Sequence, residues 1–281
     1  MWVKRGMWER RMRDTWPAAA ATTVSRMTHL DPTAGFYDDL AADYHLIFAD
    51  WDEAISRQSR VITNLLRDIS DMTSGTVLDA SCGIGTQALG LAAAGFVVTA
   101  TDISAASVKR CAHEAVQRGL ELTTAVADLR TLEVGQFDAV LSFDNALPHL
   151  LDDADLNAAC GSLRRALQPG GLLLASVRDY DALLEARPSG DLPRRFVNTS
   201  GERIVFQLWD WVSEDRYDVR HFIMDSRDAG YSVSERRTNY RALSRAVLSR
   251  ALTAVGFHEV TWRMPTETGF YQPVVSARAP G

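Results

Sequence analysis

The stretch Thr76-Val77-Leu78-Asp79-Ala80-Ser81-Cys82-Gly83-Ile84-Gly85-Thr86 decides the fold. It begins as a short, β-branched apolar run of the kind that forms a buried parallel strand, and it ends in a glycine turn. The helical stretch Gln87 to Ala94 follows at once. Strand, tight loop and helix in that order bring backbone close to a ligand at a helix N-terminus, which glycine permits sterically. Gly95 stops the helix, Phe96 to Thr101 reads as a second strand, and Asp102 stands at its carboxyl end, 17 positions after Gly85. An acidic residue there accepts both ribose hydroxyls of a nucleoside. The plainer reading is a turn merely tightened by glycine, with Asp102 capping the helix that begins at Ser104.

The alternation continues on both sides. Downstream come a helix from Ser104 to Arg118, strands at Thr123 to Val126 and Phe137 to Phe143, a helix from Asp153 to Leu167, and a strand at Gly171 to Val177 after the Pro169-Gly170-Gly171 turn. Such repetition implies a parallel sheet with helices on both faces. Upstream, apolar residues at helical spacing from Phe36 to Asp71 predict two helices. Beyond Pro188 three alternating stretches, Arg203 to Trp211, Tyr217 to Asp225 and Tyr231 to Tyr240, predict an antiparallel meander whose core holds Trp209, Trp211, Tyr217 and Phe222. A helix from Leu243 to Val255 and strands at His258 to Met264 and Tyr271 to Ala277 return to the sheet. The expected fold is α/β: a Rossmann-like, seven-stranded, mostly parallel sheet with an antiparallel strand insertion and N-terminal lid helices. Residues 1–35 form an extension, 36–187 the cofactor-binding region, 188–241 the insertion and 242–281 the completion of the sheet.

Composition narrows the function. Of 281 residues 46% are hydrophobic and 23% charged, with a net charge of −6. No basic run is long enough to neutralise successive phosphates, which argues against nucleic acid as partner. Cys82, Cys111 and Cys160 are too scattered for a disulfide framework or a zinc site, so no metal and a cytoplasmic setting are expected. No apolar stretch reaches the length that spans a bilayer. The first 26 residues, with Trp2, Trp8 and Trp16 among arginines, read as a frayed extension or as residues upstream of a true start at Met27. The sequence leaves a homo-oligomer open.

Two acidic residues sharpen the reading of the turn, for Asp79 ends the first strand and Asp128 follows the third. With these, the stretch from Val77 to Gly85 resembles the first motif of class I methyltransferases. That resemblance implies S-adenosylmethionine as cofactor, with Ser81, Gly83 and Gly85 at the turn, Asp102 and Ile103 at the ribose, Asp128 and Leu129 at the adenine, and Phe143 alongside. The dinucleotide fingerprint wants a third glycine where Ala88 stands, a variant that keeps a nicotinamide oxidoreductase open. Further on, Asp144-Asn145-Ala146-Leu147-Pro148-His149-Leu150 is similar to a Gly-Asn-x-x-x-His-Leu stretch of glycine N-methyltransferases. Likewise Val177-Arg178-Asp179-Tyr180-Asp181-Ala182-Leu183-Leu184 resembles their His-Arg-Asn-Tyr-Asp-x-Ile-Leu stretch.

The resemblance implies that Arg178 binds an acceptor carboxylate and that Asn145 borders the amine, with Asp144 a third catalytic candidate. It adds Tyr240 to the substrate side, and Arg57 or Arg60 at the methionine carboxylate. Tyr44 and Trp51 are expected in a lid over the cofactor. Glu267 and Tyr271, on a connection that opens at the carboxyl ends of the strands, are secondary substrate candidates. Asp144 and Asp179 depart from the family's glycine and asparagine, so glycine itself does not follow as acceptor. The plainer readings are a capped turn at Asp144 and Asn145, a hydrogen-bonded structural His149, and an ion pair of Arg178 with Asp179 or Asp181. The function implied is methyl transfer from S-adenosylmethionine to a small polar acceptor, foremost the amine of an amino-acid-like molecule. An O- or C-methyltransferase of natural products and a silent binding protein are the rivals.

Overall fold

A computed structural model describes residues 31–198, 201–228 and 230–281. The reading of the first 26 residues lies outside them. In chain order the elements are α1 (Pro32–Leu40), α2 (Trp51–Ser70), β1 (Thr76–Asp79), α3 (Thr86–Ala93), β2 (Val97–Asp102), α4 (Ala105–Gln117), β3 (Thr123–Val126) and β4 (Phe137–Ser142). Then follow α5 (Asp153–Arg165), β5 (Leu167–Ser176), α6 (Tyr180–Ala186), β6 (Arg194–Asn198), β7 (Gly201–Trp211), β8 (Arg216–Arg227) and β9 (Gly230–Arg241). The last are α7 (Arg245–Ala254), β10 (His258–Arg263), α8 (Pro265–Thr268) and β11 (Val274–Arg278).

Seven strands form one sheet in the order β10-β11-β5-β4-β1-β2-β3, in which β11 alone runs against its neighbours. The order reverses between β1 and β4, and the crevice outside that reversal is where open α/β sheets bind ligands. Side chains alternate across the sheet. Val77, Ala139 and Leu174 pack with Ile62 and Leu66 of α2 and Leu91 of α3 on one face, whereas Leu78, Val140 and Leu173 meet Leu163 of α5 and Leu248 of α7 on the other. Period-2 alternation in strands buried on both faces is what the apolar runs encode.

Four expectations need correction. The sequence Pro169-Gly170-Gly171 does not precede β5 but lies within it, as an irregularity in which two steps along β4 are matched by five along β5. The insertion has four strands, not three, because β6 pairs with β7 in the order β6-β7-β8-β9. Helix α1 begins at Pro32, inside the stretch assigned to the extension. And α2 is not a lid: it packs against α3 beside the sheet. The cover comes from α1 and the 3-10 turn Tyr44–Ile47, whose Phe36, Leu40 and Ile47 pack on Val205 and Ile223 of the insertion. Asp38 of α1 ties this cover down by accepting from the Ser104 hydroxyl at 2.6 Å and from Ala106 N–H at 2.9 Å, at the start of α4.

Candidate active site

The turn after β1 has the conformation a nucleoside cleft requires. Gly83 (φ +51°) and Gly85 (φ +100°) are both left-handed, and a Cβ would lie 3.3 Å from the Tyr44 ring at Gly83 and 2.8 Å from the Cys111 sulfur at Gly85. Only glycine fits both the space and the φ. Asp102 closes the cleft from β2: Oδ2 accepts from Gly83 N–H and Oδ1 from Ser104 N–H, each at 2.9 Å. A carboxylate has about four lone-pair sites, so two stay available for hydroxyl donors. The plain capping reading and the ligand reading therefore coexist in one residue. Burial raises the Asp102 pKa, and the two N–H donors oppose that shift. Asp79, fully buried beneath the turn, is pushed up to about 8 by burial, and its Oδ2 has no partner.

Outside the ends of β4 and β5 lies a cavity of about 710 Å³. Asp144 and Asn145 form its floor with φ of +56° and +71°, which accounts for the glycine in the related motif and marks a strained backbone of the kind found at ligand sites. Asp144 accepts from Tyr271 OH at 2.6 Å and from Gln87 Nε2 at 2.8 Å. Burial raises its pKa while these donors hold it back. Asn145 is 3% exposed, and its Oδ1 accepts the Arg178 N–H at 3.1 Å. Because that N–H can only donate, the amide is oriented, and Nδ2 remains a buried donor without a partner.

Arg178 is partly buried and reaches the insertion. Its Nη1 donates to Tyr217 OH at 3.0 Å and its Nη2 to Gln207 Oε1 at 2.8 Å, and its guanidinium lies 4.8 Å from the Trp209 ring centroid and 5.3 Å from that of Tyr240. No carboxylate pairs with it among the described residues. Asp179 and Asp181 instead bind Arg245, at 2.8 and 3.3 Å. The structural ion pair considered from the sequence is thus absent, and a permanently charged group faces the cavity without a counter-ion.

Of the other candidates, Tyr44, Arg57, Tyr240 and Tyr271 line the same cavity. Ser81 meets Ser142 at 3.2 Å beside the turn, and Ile103 follows Asp102 at the carboxyl end of β2. Asp128 follows β3, paired with Arg130 and receiving its N–H at 2.8 Å, with Leu129 packed behind on the core. Phe143 is core, edge-on to Phe270 at 5.0 Å. Ser81, Gly83, Gly85, Asp102, Ile103, Asp128, Leu129 and Phe143 lie around the turn and the strand ends and do not line the cavity, and Trp51, Arg60 and Glu267 stand apart from it too. Trp51 is buried, donates to Thr86 and lies under Arg118; Arg60 is exposed on α2; and Glu267 is exposed and caps α8 by accepting from Met264 N–H. His149 is hydrogen-bonded to Tyr37 at 2.9 Å.

Sequence reasoning missed Gln58, Gln87, Gln207 and His221, which all line or support the site. Of the aromatic stripe, Trp209, Trp211 and Tyr217 belong to the core as expected, and Phe222 does not. Trp209 lines the cavity, and Phe222 lies on the opposite face of the insertion, stacked on Phe206 at 4.9 Å. Strand register with Gln207 opposite His221 was the available signal, but alternation does not say which face is buried.

Residues 77–171 match the family described as methyltransferase domain. A glycine/sarcosine N-methyltransferase of Halorhodospira halochloris is 29% identical over 172 residues, which cover 58% of this chain and 64% of the relative. A ubiquinone biosynthesis O-methyltransferase of Caulobacter sp. (strain K31) is 33% identical over 126 residues, 43% of this chain and 48% of the relative. The chain thus aligns with less than two thirds of either. Among solved structures, S-adenosylmethionine-bound CalS10, an amino pentose methyltransferase from Micromonospora echinaspora, superposes with a TM-score of 0.67 at 21% identity over 84% of this chain and 94% of its own. That likeness shows the fold.

Proposed function

We propose, from the premise that the chain belongs to the class I S-adenosylmethionine-dependent methyltransferases, that it methylates the amine of a small, carboxylate-bearing acceptor. The observation that carries this reading is Arg178, a guanidinium in the cavity wall with no carboxylate partner, next to the unpartnered Nδ2 of Asn145. The planar guanidinium offers the fork that suits a carboxylate. The name of the H. halochloris relative, glycine/sarcosine N-methyltransferase, supports the same acceptor class.

When bound, S-adenosylmethionine supplies an electrophilic methyl group for in-line displacement. Gly83, Gly85 and Asp102 would hold its nucleoside, and Arg57 its methionine carboxylate. The rest falls to orientation and proton handling by the chain. Asn145 accepts the Arg178 N–H through one lone pair of Oδ1, which leaves the other for an N–H of the acceptor's amine, as expected from the resemblance. Asp144 then accepts a hydrogen of the acceptor's ammonium group. A carboxylate with a raised pKa takes such a proton more readily than a solvated one, and Tyr271 and Gln87 fix its two oxygens. The cover formed by α1, the Tyr44–Ile47 turn and the insertion excludes water.

A second reading, O-methylation of a phenol, is favoured by the aromatic lining from Tyr44, Trp209 and Tyr240 and by the ubiquinone-pathway relative. Arg178→Lys separates the two, because lysine offers a point charge where the carboxylate needs a fork. For an amino-acid acceptor the variant lowers kcat/KM by about tenfold or more while cofactor affinity by calorimetry is unchanged. An enzyme that prefers acceptors lacking a carboxylate, and tolerates the substitution, is a phenol-type methyltransferase instead.

A further inference from the structure

The cavity is larger than the simplest amino acid needs. At roughly 30 Å³ per water-sized group, five heavy atoms occupy about 150 Å³, and the cavity of about 710 Å³ also takes in Arg57 and Tyr44, where the methionine end of the cofactor would enter. Cavities of that size hold drug-sized molecules. Beyond Arg178 the wall belongs to the insertion, and its chemistry is uneven. His221 of β8 is 3% exposed, lines the cavity, and has no hydrogen-bond partner for Nδ1. It stands directly across the ladder from Gln207, the residue that accepts from Arg178. Neighbouring positions on a sheet face lie roughly 5 Å apart, so His221 is one side chain further along the wall from the carboxylate anchor.

Three cations face this histidine, and together with burial they push its pKa down to about 4, so that it is neutral and hydrogen-bonds without charge. They differ in how they are engaged. Arg236, across the ladder on β9, is paired with Asp43 at 2.6 Å. Arg178 and Arg194 have no ion pair among the described residues, and both line the cavity. Asp191, the nearby carboxylate of this wall, accepts the Gln207 N–H and keeps its charge. This end of the cavity offers two guanidinium groups without an ion pair among the described residues, Arg194 exposed and Arg178 half-buried, and beneath its surface one imidazole nitrogen without a partner. A buried polar atom without a partner is costly unless a ligand satisfies it.

We infer that the acceptor is an amino acid whose side chain ends in a second carboxylate, held by His221 and Arg194 while Arg178 holds the α-carboxylate. The inference rests on the reading of Arg178 given above. His221 and Arg194 act as specificity-determining residues, and two carboxylates balance the two free cations.

The test is a comparison of kcat/KM for alanine, aspartate, glutamate and 2-aminoadipate with labelled S-adenosylmethionine. One of the three dicarboxylates is expected to exceed alanine by at least about tenfold, a conservative floor for a site built to bond a group that its analogue lacks. Arg194→Gln and His221→Gln are each expected to collapse that ratio by about tenfold. S-adenosylhomocysteine binding by calorimetry reports whether each variant is folded. Arg194 is exposed, so its variant decides the matter even where replacing the buried histidine impairs folding. A wild-type enzyme without preference for a second carboxylate, or a ratio unchanged in Arg194→Gln, overturns the inference. An unimpaired Arg178→Lys enzyme overturns the anchor and the inference with it, whereas an impaired one with an unchanged ratio in Arg194→Gln overturns only the inference.

Discussion

Asp102 shows how a side chain that serves the fold keeps capacity for a ligand. Its two oxygens are fixed by backbone N–H groups of the turn and of the α4 cap, which orients the remaining lone pairs. Replacing it by alanine is expected to weaken S-adenosylhomocysteine binding by about 2 to 4 kcal/mol, since bonds to a charged group contribute roughly 1.5 to 3 each and water offsets part; calorimetry with unchanged affinity would remove Asp102 from the site. Asp79 carries a different signature. Its pKa near 8 in the fold, against about 3.9 in an unfolded chain, means that between those values the folded state keeps a proton the unfolded state has lost. Stability then falls as pH rises from 4 to 8, because the unfolded state binds fewer protons. Asp79→Asn removes this dependence. Its melting temperature is expected to exceed that of the parent chain at pH 8, with a gap that shrinks toward pH 5; a constant gap across that range speaks against a protonated Asp79.

The elements of the parallel half follow from local pattern, because strands buried on both faces and capped helices write their ends into the sequence. Ser104 accepts from Ser107 N–H and Asp152 from Asp155 N–H, as N-cap residues do. The insertion is less legible. Strand β6 passes unnoticed in Arg194-Arg195-Phe196-Val197-Asn198, where alternation is too short to register, and the face that each strand buries depends on what lies beneath it. Tyr217, fully buried, touches Trp211 and Tyr240 and gives its hydroxyl to the Arg178–Tyr180 cluster, so that the insertion shares one core with β5 and α7. Tyr217→Ala is expected to cost about 3 to 5 kcal/mol. The loss should appear as a lower single transition, with circular dichroism and tryptophan fluorescence melting together. A separate, earlier melt of the tryptophan signal would show that the insertion folds independently.

For the molecule as a whole, the site is a meeting of four segments distant in sequence. The floor comes from Asp144 and Asn145, the proposed anchor is Arg178, the roof comes from Phe36 to Phe48, and the far wall from Gln207 to His221. Electrostatics follow the same division. Among the described residues the ion-paired arginines are mostly half-buried, as Arg203 is with Asp225 and Arg241 with Asp215, whereas exposed ones such as Arg57, Arg60, Arg165 and Arg227 have no carboxylate partner and are compensated by water. Arg178 stands out because it is half-buried in the cavity wall and has no carboxylate partner among the described residues. No helix among the described residues is long and apolar enough to cross a membrane.

By itself the sequence determined the glycine turn, the order of strands and helices around it, and the positions of Asp102, Asn145 and Arg178 at strand ends. Each of these is set by neighbours a few residues away, through φ preference, apolar periodicity and capping. Tertiary structure alone decided that Arg178 turns from Asp179 and Asp181 toward Gln207 and Tyr217, that Trp51 and Glu267 serve packing and capping, and that His221 faces the cavity. Those outcomes depend on which groups compete for one charge or one donor across more than 25 residues of chain, and hydrogen-bond competition of that range is resolved only when the insertion closes over the sheet.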